Sequence, residues 1–160
     1  MYNFDASSII HAWDNYPPDN QHFNSLWEWI ASQINDKQFS ISKKALEEVV
    51  LKIPGCGTWL KDNNIQTFPL TPSVLLIAQR IKELLNIEEE NYHAKGVGEN
   101  DLFIIAIAKE TETILISNES RQNKLPRLKS KYKIPAVCNM HEVNVECINF
   151  IELINKYSNR

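Results

Sequence analysis

What the chain lacks already narrows its function. No apolar run approaches the roughly 18 residues of a membrane-crossing helix, so no transmembrane segment is expected. The opening MYNFDASSII has neither a basic start nor a long apolar stretch. A secretory leader is therefore not expected, and the cytoplasm is the default compartment. The cysteines, Cys56, Cys138 and Cys147, are odd in number and show no C-x-x-C spacing. Free thiols in a reducing compartment are expected, not a disulfide framework or a zinc site. The histidines His11, His22, His93 and His141 are scattered, and none pairs with a nucleophile. The formal net charge of -3 means the whole molecule is not a polycation. Gly96-Val97-Gly98 has no preceding strand and no third glycine, so it is not a dinucleotide fingerprint. No repeat, low-complexity tract or linker interrupts the chain, and 160 residues suit one domain spanning 1–160.

What is present is an alternation of short strands and helices. Residues 1–4 read as a buried strand running into Asp5. Phe23, Leu26, Trp27, Ile30 and Ile34 recur at helical spacing and predict a helix capped by Asn20 or Asn24. Trp27 and Trp29 fall on different faces of it, so at least one is expected to be partly exposed. Phe39–Ser42 alternates like a strand, and Lys43–Lys52 carries an apolar helical stripe. Pro54-Gly55-Cys56-Gly57 reads as a break, followed by a turn or two of helix around 59–61. Thr71-Pro72 opens a helix that runs to about Leu85, and residues 86–99 read as a loop. After Asp101 the run 102–108 is apolar nearly all round and predicts a central buried helix. Residues 113–117 and 136–138 read as strands, and 147–157 as a closing amphipathic helix. This order predicts a single-domain, three-layer α/β/α sandwich with a mostly parallel sheet.

Four acidic positions stand where strands hand over to helices: Asp5, Glu48 with Glu47 beside it, Asp101 and Glu119. A charge next to an apolar run is costly to bury without a partner. In parallel sheets, sites gather outside the carboxyl ends of the strands, where such residues lie. Carboxylates from distant segments at one sheet edge suit a hard divalent cation, Mg²⁺ or Mn²⁺. Each also has a plainer role: Asp5 as a helix cap, Asp101 as an acid favoured by a helix dipole, and Glu47 or Glu48 as a solvated helix residue. The stretch Arg121, Lys124, Arg127, Lys129, Lys131 and Lys133 is basic with no intervening acid. A basic ridge beside an acidic centre suits a phosphate-rich substrate; alone, it reads as a solvated loop.

Four segments together resemble the motifs of PIN domains. They are Phe4-Asp5-Ala6-Ser7, Leu46-Glu47-Glu48-Val49, the run from Asn100-Asp101 through Ala108, and Leu115-Ile116-Ser117-Asn118-Glu119. Order and spacing agree up to about residue 140, most closely with the VapC-like ribonuclease toxins. The resemblance implies a metal-dependent endoribonuclease, a hydrolase in which Asp5, Glu48, Asp101 and Glu119 are catalytic and bind Mg²⁺ or Mn²⁺. It makes Ser7 and Ser117 hydroxyls that orient the carboxylates, and it leaves Glu47 and Asn118 as alternative ligands. Arg121, Lys124 and Arg127 become RNA contacts. The implied partners are an RNA substrate, a cognate antitoxin protein and a second copy of the chain, with no membrane. Glu119 departs from the pattern, which more often has Asp there. That departure motivates the competing reading, a catalytically inactive PIN-like module that binds RNA or protein. A haloacid-dehalogenase-type phosphatase is disfavoured because Ser7 occupies the place of its second Asp. A response-regulator receiver is disfavoured because no acidic pair precedes Asp5.

Overall fold

The computed structural model describes residues 1–158. Its sheet has five strands: β1 (Tyr2–Phe4), β2 (Phe39–Ser42), β3 (Gln66–Phe68), β4 (Ile114–Ile116) and β5 (Cys147–Ile148). All neighbours are parallel and the order is β3-β2-β1-β4-β5. Helices cover both faces: α1 (Ala6–Asn15), α2 (Asn24–Asn35), α3 (Lys43–Lys52), α4 (Pro54–Asp62), α5 (Pro72–Leu84), α6 (Glu99–Glu110), α7 (Ile134–Cys138) and α8 (Phe150–Ser158). This is the expected three-layer α/β sandwich, with every strand pairing parallel. Among the described residues, no helix is long and apolar enough to cross a membrane.

Strand alternation divides the core. Tyr2 and Phe4 share one face with Phe39, whose ring meets Phe4 at 5.0 Å and Trp29 at 5.4 Å. Trp29 in turn stacks edge-on with Tyr157 of α8 at 5.0 Å, so α2 and α8 cover this face. Trp27 is buried on the other side of α2, between Trp13 and Trp59, and donates its indole N–H to the Tyr16 carbonyl. The two tryptophans thus divide as expected, with Trp29 only half-buried. Helix α6 is buried along Leu102, Ile104, Ile105, Ala106, Ile107 and Ala108, and packs against α5, α3 and α7.

Several local expectations are overturned. Residues 136–138 are not a strand; they end α7, because Pro135 sits in its first turn, where a missing N–H costs nothing. Pro54-Gly55-Cys56-Gly57 does not break the chain, since Pro54 opens α4 in the same way. Gly57 lets α4 close on α3: a Cβ there would stand 2.6 Å from Val50 Cγ2 and 3.0 Å from its Cα. The closing segment starts as β5 and becomes helical only at Phe150. Asn20 caps a short 3-10 turn at Gln21–Phe23, and α2 has no side-chain cap. Helix α1 starts at the expected hand-over after Asp5, with Ala6, Ile9 and Ala12 buried at helical spacing, whereas strand β3, only three residues long, was not anticipated.

All three cysteines are free thiols. Burial pushes the Cys56 thiol up to about 12, which makes it inert at neutral pH.

Asn3 is fully buried in the central strand, and neither its amide nitrogen nor its oxygen has a hydrogen-bond partner. An unmet buried amide costs about 1–3 kcal/mol. Asn3→Val is expected to raise the melting temperature, by about 1 kcal/mol of stability after repacking. A fall in melting temperature in scanning calorimetry would show that the amide is satisfied in solution.

Candidate functional site

The sheet order reverses between β1 and β4: β2 and β3 lie to one side, β5 to the other. Crevices of open parallel sheets form at the carboxyl ends of the strands flanking such a reversal. Asp5 follows β1, and Ser117-Asn118-Glu119 follows β4. The Asp5 N–H donates to the Ile116 carbonyl at 2.9 Å, so the ladder runs straight into the site.

Asp5 is 3% exposed and caps α1, accepting from the Ser8 N–H at 2.9 Å. The Ser7 hydroxyl donates to it at 2.8 Å and the Ser117 hydroxyl at 2.7 Å. Both serines accept in turn: Ser7 Oγ from the Asn118 N–H at 3.0 Å, and Ser117 Oγ from the Glu119 N–H at 3.2 Å. Two hydroxyl relays thus lock the turn after β4 onto one carboxylate. Burial raises the Asp5 pKa, against the opposing pull of the hydrogen bonds from Ser117, Ser8 and Ser7.

The other acids arrive on three different elements. Asp101 lies in the first turn of α6, where its Oδ2 accepts from the Gly98 N–H at 2.9 Å. Glu48 is half-buried on α3 and pairs with Lys52 at 2.5 Å. Glu47 points to solvent and pairs with Lys44 at 3.9 Å. Glu119 Oε2 accepts from the Ile134 N–H at the start of α7, at 3.3 Å. Asn118 is turned away from the acids; its Oδ1 accepts from the Phe150 N–H at 3.0 Å.

The carboxylates act on one another electrostatically. Burial, then the charges of Glu119 and Glu48, push Asp101 up to about 6, against the Gly98 hydrogen bond and Lys52. Burial also raises Glu119; Asp5 and Glu48 add to the rise, while the Ile134 N–H and Lys133 oppose it. Asp5, Glu48, Asp101 and Glu119 therefore form one electrostatic cluster, and Glu47 contributes to neither shift. Each acid is nonetheless turned toward its own local donor. Among the described residues, no three His, Cys, Asp or Glu side chains stand close enough together to hold a metal ion. The donor chemistry fits Mg²⁺ or Mn²⁺, since the cluster offers hard carboxylate oxygens and neither imidazole nor thiolate.

A cleft of about 650 Å³ reaches the cluster at Glu119, the one acid in its lining, and is also lined by Ser7, Lys95, Gln122, Lys131 and Lys133. Of the basic residues proposed from sequence, none lines this cleft, but Arg121 lines a neighbouring pocket with Ser117, Asn118 and Glu119. Arg121 is tied to Glu152 at 2.7 Å, and Lys124 and Arg127 are exposed outside this cleft. Lys95 escaped the sequence reading because it stands alone in a polar loop, with no basic neighbour to mark it.

The match that places the chain comes from a family model covering residues 2–160, described as a domain of unknown function (DUF4411). The chain belongs to the DUF4411 family. No curated protein matches it. The family description names no activity, so function must be argued from the site.

Two predictions follow from this geometry. The folded protein holds a proton on Asp101 that the unfolded chain releases near 3.8, so the stability it contributes is complete below 3.8 and is lost as pH rises through about 6. Without divalent cations, that loss should amount to about 3 kcal/mol across this window, about 2 kcal/mol of it above pH 4.5. Asp101→Asn keeps an acceptor for Gly98 and should flatten the profile and raise stability at pH 7.5; thermal melts in EDTA from pH 4.5 to 8 measure it. Gly96→Ala should destabilise by about 2 kcal/mol, because its Cβ would meet the Ser130 carbonyl oxygen at 2.0 Å. Urea titration of this variant tests that, and wild-type stability would contradict the close approach.

Proposed function

We propose that this DUF4411 protein is a divalent-cation-dependent endoribonuclease of the PIN type, a hydrolase that cuts RNA phosphodiesters in the cytoplasm. In this reading it is the toxin of a toxin–antitoxin pair, held in check by a cognate antitoxin protein, and it pairs with a second copy of itself as VapC-like toxins do. The observation that carries the nuclease reading is the convergence of Asp5, Glu48, Asp101 and Glu119 on one electrostatic cluster at the reversal of a parallel sheet. Few structural needs explain bringing four carboxylates so near that burial and neighbouring acids together raise Asp101 and Glu119; a site for a cation and a phosphodiester does.

In this reading Asp5, Glu48, Asp101 and Glu119 hold Mg²⁺ or Mn²⁺. Such an ion, when bound, neutralises charge on the phosphoryl oxygens and activates water for attack. The chain's own residues prepare the site. Ser7 and Ser117 fix the Asp5 carboxylate in place, and through Asn118 and Glu119 they fix the turn that carries the fourth acid. Asp101 and Glu119 hold protons more tightly than ordinary carboxylates, so cation uptake must release them. Binding should therefore tighten as pH rises from 6 to 8. Burial keeps water from screening the cluster, which strengthens each charge it presents.

The inactive-module reading has one observation in its favour. Glu119 replaces the expected Asp, and its Oε2 is engaged by the Ile134 N–H. The same experiment separates the two. Purified protein with Mn²⁺ should cleave a mixed RNA substrate, and Asp5→Asn or Asp101→Asn should slow cleavage by about 100-fold or more. Glu48→Gln should cost about tenfold and Glu47→Gln less than about twofold. Growth inhibition on expression should disappear with Asp101→Asn. Undiminished cleavage by the Asp variants removes the proposed site; RNA binding with no cleavage by the wild type favours the inactive module.

A further inference from the structure

Resting on the nuclease reading, we propose that Lys95, Lys131 and Lys133 form a cationic wall that grips the backbone phosphates of an unpaired RNA strand beside the acidic floor. The three residues line the same cleft of about 650 Å³ as Ser7 and Glu119. Among the described residues, the ion-paired bases are Lys44, Lys52, Arg121 and Lys156. Lys95, Lys131 and Lys133 are outside that set; the charge of Lys133 acts on Glu119, the acid that shares their cleft.

The wall is built, not a loose loop. Gln122 clamps both ends of its turn: its amide donates to the Lys131 carbonyl at 3.0 Å and accepts from the Lys133 N–H at 2.9 Å. Lys131 and Lys133 both line this cleft, while Tyr132 between them lines a neighbouring one. The loop bearing Lys95 docks on this turn. Gly96 lies flat against Ser130 and Lys131, and the Val97 N–H donates to the Tyr132 carbonyl at 2.9 Å. These ties hold two chain segments, some 35 residues apart in sequence, as one surface.

The chemistry selects the ligand. Three lysines lining a cleft whose one acid is Glu119 suit a chain with repeated negative charge, one part near Glu119 and the next along the lysines. A neutral or zwitterionic ligand would leave the wall unmatched. The volume lies in the range of about 300–1,000 Å³ that encloses a drug-sized molecule. It takes a nucleotide or two of a single strand and not a duplex, and the ties keep the cleft from widening.

The test is fluorescence anisotropy with a labelled ten-nucleotide RNA in EDTA, where cleavage does not occur. Lys95→Ala, Lys131→Ala and Lys133→Ala should each weaken binding about three- to tenfold and lower the slope of log affinity against log salt by about 0.7. The triple variant should lower that slope by about 2. Lys124→Ala and Arg127→Ala remove the same charge outside the cleft and should stay within about twofold of wild type. Lys131→Arg and Lys133→Arg should retain binding, which separates charge from packing, and thermal melts confirm folding. Duplex RNA of the same sequence should bind at least about tenfold more weakly. Equal effects of the cleft and control lysines, equal binding of the duplex, or no RNA binding by the wild type overturns the wall. The two readings fail separately. A protein that cuts RNA while its lysine variants bind like wild type loses only the wall; one that binds through the wall and never cuts loses only the nuclease.

Discussion

The buried carboxylate of Asp5 is the interaction on which the site depends. It lies at the carboxyl end of the central strand, caps α1 and receives two serine hydroxyls that themselves hold the turn after β4. Removing it would leave the Ser8 N–H, the buried Ser117 hydroxyl and the half-buried Ser7 hydroxyl without their acceptor. Its position in the sheet explains why one residue has such reach. The strands on either side of β1 diverge in connection, so helices leave in opposite directions and a crevice opens where Asp5 stands.

Around that anchor the structure distributes negative charge without cancelling it. Asp101 leans on the N-terminal end of α6, Glu48 on Lys52, and Glu119 on α7. Such local partners keep each carboxylate ordered, yet they do not remove the repulsion that raises Asp101 and Glu119. Carboxylates kept near one another at this cost have a use for a cation. The cleft that Glu119 lines also carries Lys95, Lys131 and Lys133, and the charge of Lys133 acts on Glu119. In the proposed reading, a phosphodiester is the ligand that would meet both Glu119 and the lysines of this cleft.

Much of this was legible along the chain. Parallel strands between covering helices follow from short apolar runs alternating with amphipathic ones. Thr71-Pro72 marks the start of α5 with a cap and a first-turn proline, and the nearly continuous apolar run after Asp101 marks a central helix. Proline misled where only its breaking role was weighed: Pro54 and Pro135 open helices, because the first turn has no use for the N–H that proline lacks. The Cys147–Ile148 strand was hidden for a different reason, being too short to show alternation and defined only by its pairing with β4.

Residue type and order determined the fold class and named the four acids, since both depend on local pattern and on which residues can carry charge next to a strand. Which glutamate faces the cluster was decided by the pitch of α3 against its neighbours, a property of packing. The identity of the basic wall was decided in the same way. Arg121, Lys124 and Arg127 precede Lys131 and Lys133 in sequence, yet Arg121 is paired with Glu152 in a neighbouring pocket and Lys124 and Arg127 are exposed outside this cleft. Lys95 joins the wall only because Gly96 lets two distant loops touch. Charge is written in the sequence; the direction in which a charge points is set by contacts between segments that the sequence keeps far apart.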